Sequence, residues 1–277
     1  MMETRPVLAM VVLASLGSPL PNLAASFNFT ALPGLGRLHG INKGNQIVGH
    51  TQGGQHTKGL IYDNGTLSSL AVPNSKNTFA YGIENNGRIV GAYDDKAGKH
   101  GFLYFHGNFT SIDAPGARRT VAYDINDPQQ VVGYYTDASG QNHGFVYDKG
   151  SFTALDFPGA SNTYAYGISN AGAIVGYYTD GNRHKHGFLY DKGSFTSIDF
   201  PNARDTLVYG INSPGIMVGS YVDPTGTHGF VNTGGAFVQL DAPETPPAGV
   251  GTFARGISDN GVIVVYGTTA FLATLLP

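Results

Sequence analysis

An all-β fold, a six-bladed β-propeller of four-stranded blades with its ring closed by the N-terminal strand, is predicted by three features of the sequence. One phrase, Gly-Ile-Asn and its variants, recurs along the chain. Each recurrence carries the same succession of four short β-branched and aromatic segments separated by turn residues. The two ends of the array hold complementary parts of one unit.

The phrase begins at Gly40, Gly82, Asp124, Gly167, Gly210 and Gly256, about 42 to 46 residues apart, a period found in propeller blades. Residues 163–201 show the unit most cleanly. Strands are expected at Tyr164–Ile168, Ala173–Tyr178, Gly187–Tyr190 and Ser194–Phe200, because such residues suit a half-buried pleated surface. Between the first two lies Ser169-Asn170-Ala171-Gly172, matched by Asn42-Lys43-Gly44 and Glu84-Asn85-Asn86-Gly87; Asn and Gly supply the left-handed backbone of a tight turn. Between the last two, Tyr-Asp-Lys-Gly at Tyr147 and Tyr190 suggests a three-residue hairpin with a bulge.

The ends distinguish a ring from a row. Phe27–Gly34 matches a fourth strand, as at Phe152–Gly159, whereas the unit opening at Gly256 holds strands one to three. Closing the circle removes an exposed sheet edge; an open β-solenoid is the alternative architecture. Residues 1–25 read as a signal peptide, with Arg5 in the polar start, the apolar run Val7–Leu16 and a small-residue end at Ala24-Ala25. Residues 26–277 are then a single domain, exported to the periplasm or cell exterior.

Composition narrows the function. With 40 Gly, no Cys, no Trp, 13% charged residues and a net charge of −3, the chain has no disulfide framework, thiolate site or Cys nucleophile. Nor has it the basic footprint of a nucleic-acid binder. No apolar run after the signal is long enough to span a bilayer. No hydrolase elbow, zincin, P-loop or dinucleotide motif occurs. No cofactor and no metal is expected, and the oligomeric state is not legible.

The phrases His-Gly-Phe-Leu-Tyr, Phe-Thr-x-Ile-Asp-x-Pro-Gly-Ala and Gly-Ile-Asn-x-x-Gly-x-Ile-Val-Gly-Tyr-Tyr resemble the bacterial extracellular repeats of the HAF type over nearly the whole chain after residue 25. Here Gly101, Gly144, Gly187 and Gly229 stand at the family's Ala. The resemblance implies export and repeat architecture and brings no catalytic residues.

Repeated polar residues are expected to serve the fold. His100, His143, His186 and His228 open the third strands, with Lys58 and Thr269 in their place in the outer units; they read as hydrogen-bonded structural residues. Asp95, Asp137, Asp180 and Asp223 read as Asx turns, and Asp113, Asp156, Asp199 and Asp241, just before x-Pro at the end of the fourth strand, are read the same way. Residues that break the repeat are the better binding candidates. Arg118, Arg119, Arg183, His184, Arg204 and Asp205 lie in the variable loops of one face. The Tyr before Gly-Ile (Tyr81, Tyr123, Tyr166, Tyr209) becomes His39 in the first unit and Arg255 in the last, with Glu244 in a lengthened loop nearby. The leading expectation is an extracellular binding module for a glycan, cell-wall component or protein. A hydrolase or lyase using His39, Arg255 and Glu244, and a structural surface protein, are the alternatives.

Overall fold

The computed structural model describes residues 27–52, 54–243 and 251–275. The predicted signal segment and Glu244 lie outside them.

Strand β1 (Phe27–Leu32) precedes β2 (Arg37–Ile41), β3 (Ile47–His50), β4 (Gly59–Asp63) and β5 (Thr66–Leu70). The next unit is β6 (Asn77–Ile83), β7 (Ile89–Asp94), β8 (Lys99–Phe105) and β9 (Asn108–Ile112), followed by β10 (Arg119–Ile125), β11 (Val131–Thr136), β12 (Asn142–Asp148) and β13 (Ser151–Leu155). Then come β14 (Asn162–Ile168), β15 (Ile174–Thr179), β16 (Lys185–Asp191) and β17 (Ser194–Ile198), and β18 (Asp205–Ile211), β19 (Met217–Asp223), β20 (Gly226–Thr233) and β21 (Ala236–Leu240). Last are β22 (Phe253–Ile257), β23 (Ile263–Tyr266) and β24 (Ala270–Leu275).

Within each unit the strands pair antiparallel in chain order, giving four separate four-stranded sheets and one eight-stranded path. In that path β8 and β10 meet through a single parallel pair, Lys99 with Arg119. β1 lies antiparallel on β24, from Phe27 opposite Leu275 to Leu32 opposite Ala270, and Phe29 meets Phe271 edge-on with ring centroids 6.0 Å apart. The first strands of the units line one common cavity. The architecture is all-β and propeller-like. Among the described residues no helix is long and apolar enough to cross a membrane.

The apolar core lies between neighbouring sheets, because alternate residues of a strand point to opposite faces. Val132, Leu155, Ala165, Ile168, Ile174 and Phe188 form one such layer. Leu32, Leu38, Ile41, Ile47, Val264 and Ala270 form another, which packs β1 and the last unit against the first. Phe102, Phe145, Phe188 and Phe230 are fully buried, and the second strand yields room for their rings. A Cβ on Gly176 would lie 1.9 Å from the Tyr164 carbonyl oxygen and 2.9 Å from Phe188.

Two local features differ from the expectation. The turn between third and fourth strands holds two residues: Asp148 pairs with Ser151, and Lys149 and Gly150 have φ of 49° and 89°. Two consecutive positive φ values make a type I′ turn, whose twist matches the flanking strands, so no bulge is needed. The fourth strand of the clearest unit also ends earlier, at Ile198, because Asp199 turns away to bond His186.

On the turn face the units are stitched by side-chain amides. Asn42, Asn126 and Asn212 donate Nδ2–H to the carbonyls of Glu84, Ser169 and Ser258 at 3.1–3.2 Å. Asn260 donates to the carbonyl of Lys43 at 2.9 Å, linking the last unit to the first.

Candidate functional site

Each first strand carries a register shift just before its Gly-Ile, for example between Ala165 and Gly167 and between Ala254 and Gly256. A bulge leaves one residue out of the ladder and re-aims it. The residues so placed are Tyr81, Tyr123, Tyr166, Tyr209 and Arg255, with His39 in the corresponding stretch of β2. All six line a central cavity of about 320 Å³, together with Arg37, His50, Phe79 and Asp124. That volume sits at the lower end of the range for small-molecule sites. Arg37, His50 and Phe79 occupy the strand ends nearest the variable loops, so the cavity belongs to that half of the molecule.

The floor is a neck of glycines. A Cβ on Gly40 would lie 2.6 Å from the Tyr81 carbonyl oxygen, and one on Gly256 2.3 Å from that of His39. Backbone approaches this close admit only glycine where the neighbour stands in the way. The exception is Asp124, which lines both this cavity and a smaller one on the turn face. Its carboxylate accepts N–H bonds from Ile125 at 2.9 Å and Ile168 at 3.0 Å. Burial pushes its pKa up to about 7, against those two bonds.

The wall from the first and last units is basic. His39 and His50 stack with centroids 5.0 Å apart, and His39 Nε2 lies 3.2 Å from His50 Nδ1, one ring donating and the other accepting. Burial, then His50 and the charges of Arg255 and Arg37, hold His39 well below the usual imidazole range. Burial and the same arginines bring His50 down to about 4. Both rings are therefore neutral at neutral pH and offer a donor and an acceptor. Arg255 lies over the rings of Tyr209 at 4.3 Å and Phe253 at 4.8 Å. The opposite wall is phenolic: Tyr123 stacks on Tyr166 at 4.1 Å, and burial raises the pKa of both, keeping the hydroxyls protonated.

The structure thus brings His39 and Arg255 into one pocket. It leaves the other described candidates outside that cavity. Arg118 and Arg119 border a separate cleft with Thr136 and Asn142. The His184 N–H bonds Asp180 at 2.8 Å in the turn that also holds Arg183. Arg204 pairs with its neighbour Asp205 at 2.8 Å. Sequence reasoning passed over Arg37, His50 and Asp124. Asp124 was detectable, since it alone replaces Gly at the head of the repeated phrase.

The repeated His and Asp residues form a second, recurring arrangement. Each His bridges two carboxylates: His143 Nδ1 to Asp156 at 2.9 Å and Nε2 to Asp137 at 3.5 Å, with the same pairs at His100, His186 and His228. The ring lies on a Tyr of the second strand, as on Tyr135 at 5.1 Å. Asp137 also closes its turn, accepting the Gln141 N–H at 2.9 Å. Its hydrogen bond from Ser139 leads the causes that lower its pKa to about 2. Burial disfavours the charged His143, but the bonds and charges of Asp156 and Asp137 outweigh it and raise its pKa. The stabilisation from His143 is full below the unfolded imidazole pKa and fades as pH rises through the raised one. That from Asp137 is full above the unfolded carboxyl pKa and fades as pH falls towards about 2. His143→Gln should therefore lower the melting temperature more at pH 5 than at pH 8, as thermal unfolding at the two pH values would read.

Over residues 108–209 the chain matches a family model described as protein of unknown function, DUF3466. No curated relative matches it. Among solved structures it is similar to virginiamycin B lyase from Staphylococcus aureus, with a TM-score of 0.52 and 14% identity over 91% of this chain and 99% of that one. It is also similar to the SapL1 lectin in complex with alpha methyl fucoside (TM-score 0.56, 13% identity, 92% and 98% covered). A third is the fucose-specific lectin from Aleuria aurantia (0.52, 12%, 92% and 96%). The shared property is the propeller fold. At these identities the likeness speaks for architecture alone, and the site must be argued from its own chemistry.

Proposed function

We propose that this chain is an exported six-bladed propeller, closed by β1, that binds glycans in its central pocket. The blade count treats β6–β9 and β10–β13 as two blades, since a lone parallel pair joins their sheets. Closure is supported by the β1–β24 ladder and by the bond from Asn260 to Lys43. Export rests on the composition of residues 1–25 and on the likeness to extracellular HAF-type repeats.

The observation that carries the function is the central cavity itself. Its walls hold tyrosine hydroxyls and aromatic faces, two neutral imidazoles and two arginines, carried mostly on the first strands of the units. Sugars present both C–H faces for stacking and hydroxyls for hydrogen bonds, and this wall answers both. Two of the similar structures are lectins, which favours a saccharide over a peptide as the ligand class. A glycan array of the purified protein tests this. Tyr166→Phe and His50→Ala should each weaken retention about 2–10-fold, the worth of one neutral hydrogen bond. His184→Ala, outside the cavity, should leave retention unchanged. Loss with His184→Ala and none with the other two would move the site to the loops.

One observation favours the lyase or hydrolase alternative: Asp124, with a pKa near neutrality, shares the pocket with His39 and Arg255. Both its oxygens are held by backbone N–H groups, which is why binding without turnover is the reading put forward. Release of reducing ends from a retained polysaccharide, abolished in His39→Ala, would reverse that order.

A further inference from the structure

The central pocket is chemically two-sided, and its two sides come from different parts of the repeat. Successive inward residues of a strand lie two apart. In β2 they are Arg37 and His39; in β22 the inward residue before Gly256 is Arg255. The middle units instead present Tyr123 and Tyr166. One wall therefore carries guanidinium groups, and the facing wall carries phenols.

The positive charge on the first wall is not neutralised by any described residue. Some cations elsewhere in the chain are paired, as Arg88 with Glu84, Lys99 with Asp94 and Arg204 with Asp205; what sets Arg37 and Arg255 apart is that they line the enclosed cavity. Among the described residues no ion pair involves Arg37 or Arg255; they lie instead against aromatic rings, Tyr266 at 5.5 Å for Arg37 and Tyr209 and Phe253 for Arg255. The carboxyl of Asp124 at the floor makes no ion pair with either; its oxygens accept the Ile125 and Ile168 N–H groups. A ring face shields one side of a guanidinium and leaves its in-plane donors for an acceptor. Both histidines feel the field of these arginines.

From this juxtaposition we infer that the pocket selects acidic saccharides, taking a sugar carboxylate on Arg37 and Arg255 and the hydroxylated ring against the tyrosines. The inference rests on the glycan reading above and names its substrate class. A planar carboxylate matches the fork of a guanidinium, a match that a neutral hydroxymethyl group cannot make. The neutral His39–His50 pair offers a donor and an acceptor to a neighbouring hydroxyl without opposing the ligand's charge.

The test uses pairs of ligands that differ only at C6. The methyl glycosides of glucuronic and galacturonic acid are titrated calorimetrically against methyl glucoside and methyl galactoside, with sodium acetate as the bare anion. At least one acid should bind about tenfold or more tightly than its neutral partner, as a charge-assisted bond provides. Arg255→Gln and Arg37→Gln should each remove that preference while leaving the melting temperature near wild type. Should Arg255→Gln melt early, Arg37→Gln alone decides. Equal binding of acid and neutral sugar would overturn the inference and leave the glycan reading intact. Acetate binding as tightly as the uronides would reduce the site to an anion trap and overturn it. Binding of none of the sugars would overturn both readings.

Discussion

Deleting Phe27–Leu32 should lower the melting temperature by about 4–20 °C or more. Leu32 is buried in the layer that joins β1 and the last unit to the first, and truncating a buried Leu typically costs about 2–5 kcal/mol. In a domain this long each kcal/mol moves the midpoint by about 2–4 °C. The deletion also strips the ladder partners from β24 and leaves Phe271 without Phe29. An open strand edge of this kind templates association, so the shortened protein should also aggregate on heating, as light scattering would record. Melting that is unchanged by the deletion would contradict closure by β1.

The second large effect is a pH dependence set by Asp124. A carboxyl whose folded pKa is raised binds its proton more tightly in the folded state. Between the unfolded value near 4 and the folded value of about 7, the native protein therefore holds more protons than the unfolded chain, and stability falls as pH rises. A rise from the ordinary carboxyl value of 3.8 to about 7 corresponds to about 4 kcal/mol as an upper bound. His39 and His50 act in the opposite sense below about pH 6.5, because their depressed pKa values make the unfolded chain the better proton acceptor. Asp124→Asn keeps the side-chain shape and one carbonyl acceptor but cannot ionise, so subtracting its profile isolates the carboxyl. Urea midpoints at pH 4.5 and pH 8 should show the wild type losing several kcal/mol relative to the variant. Parallel profiles would mean that Asp124 titrates as an ordinary surface carboxyl.

Much of the fold could be read from the chain because the unit repeats. Strand positions in the unit at residues 163–201 came within about two residues, the usual scatter of element boundaries. The Phe27–Gly34 likeness to a fourth strand anticipated the partner of β24. The turn at Lys149-Gly150 was misread in length because a lone Gly signal does not distinguish a three-residue hairpin from two consecutive left-handed residues. The bulges were invisible, since the period-two pattern of a strand carries no mark of a residue left out of the ladder. They nonetheless aim the residue before each Gly-Ile at the axis.

The site was half legible for the same reason. His39 and Arg255 stood out as breaks in a tyrosine column, and they meet in one pocket. Arg118, Arg204 and their loop neighbours also broke the repeat, and the structure places them away from that pocket, Arg118 and Arg119 beside a cleft of their own. His50 reaches the cavity from a second strand, where its counterparts in other units are Ala92, Tyr134, Tyr177, Ser220 and Tyr266, a mixed column whose breaks do not stand out. The repeated His are hydrogen-bonded as expected and Asp137 closes its turn, but Asp113, Asp156, Asp199 and Asp241 bond a His thirteen residues back and not a turn of their own. Their pairing across two loops, as in Asp137–His143–Asp156, needs coordinates, since it joins residues from three different segments.

The histidines supply the most direct test of where a ligand sits. The chain has nine, of which His39 and His50 line the central cavity. His100, His143, His186 and His228 instead mark the four bridged positions. Imidazole proton resonances, assigned by single substitutions, can be followed while methyl glucuronide is added. Occupation of the pocket should shift the His39 and His50 signals in a saturable way and leave the other four in place. Saturable shifts at the four bridged histidines, with His39 and His50 unmoved, would place the ligand outside the central pocket and contradict the account.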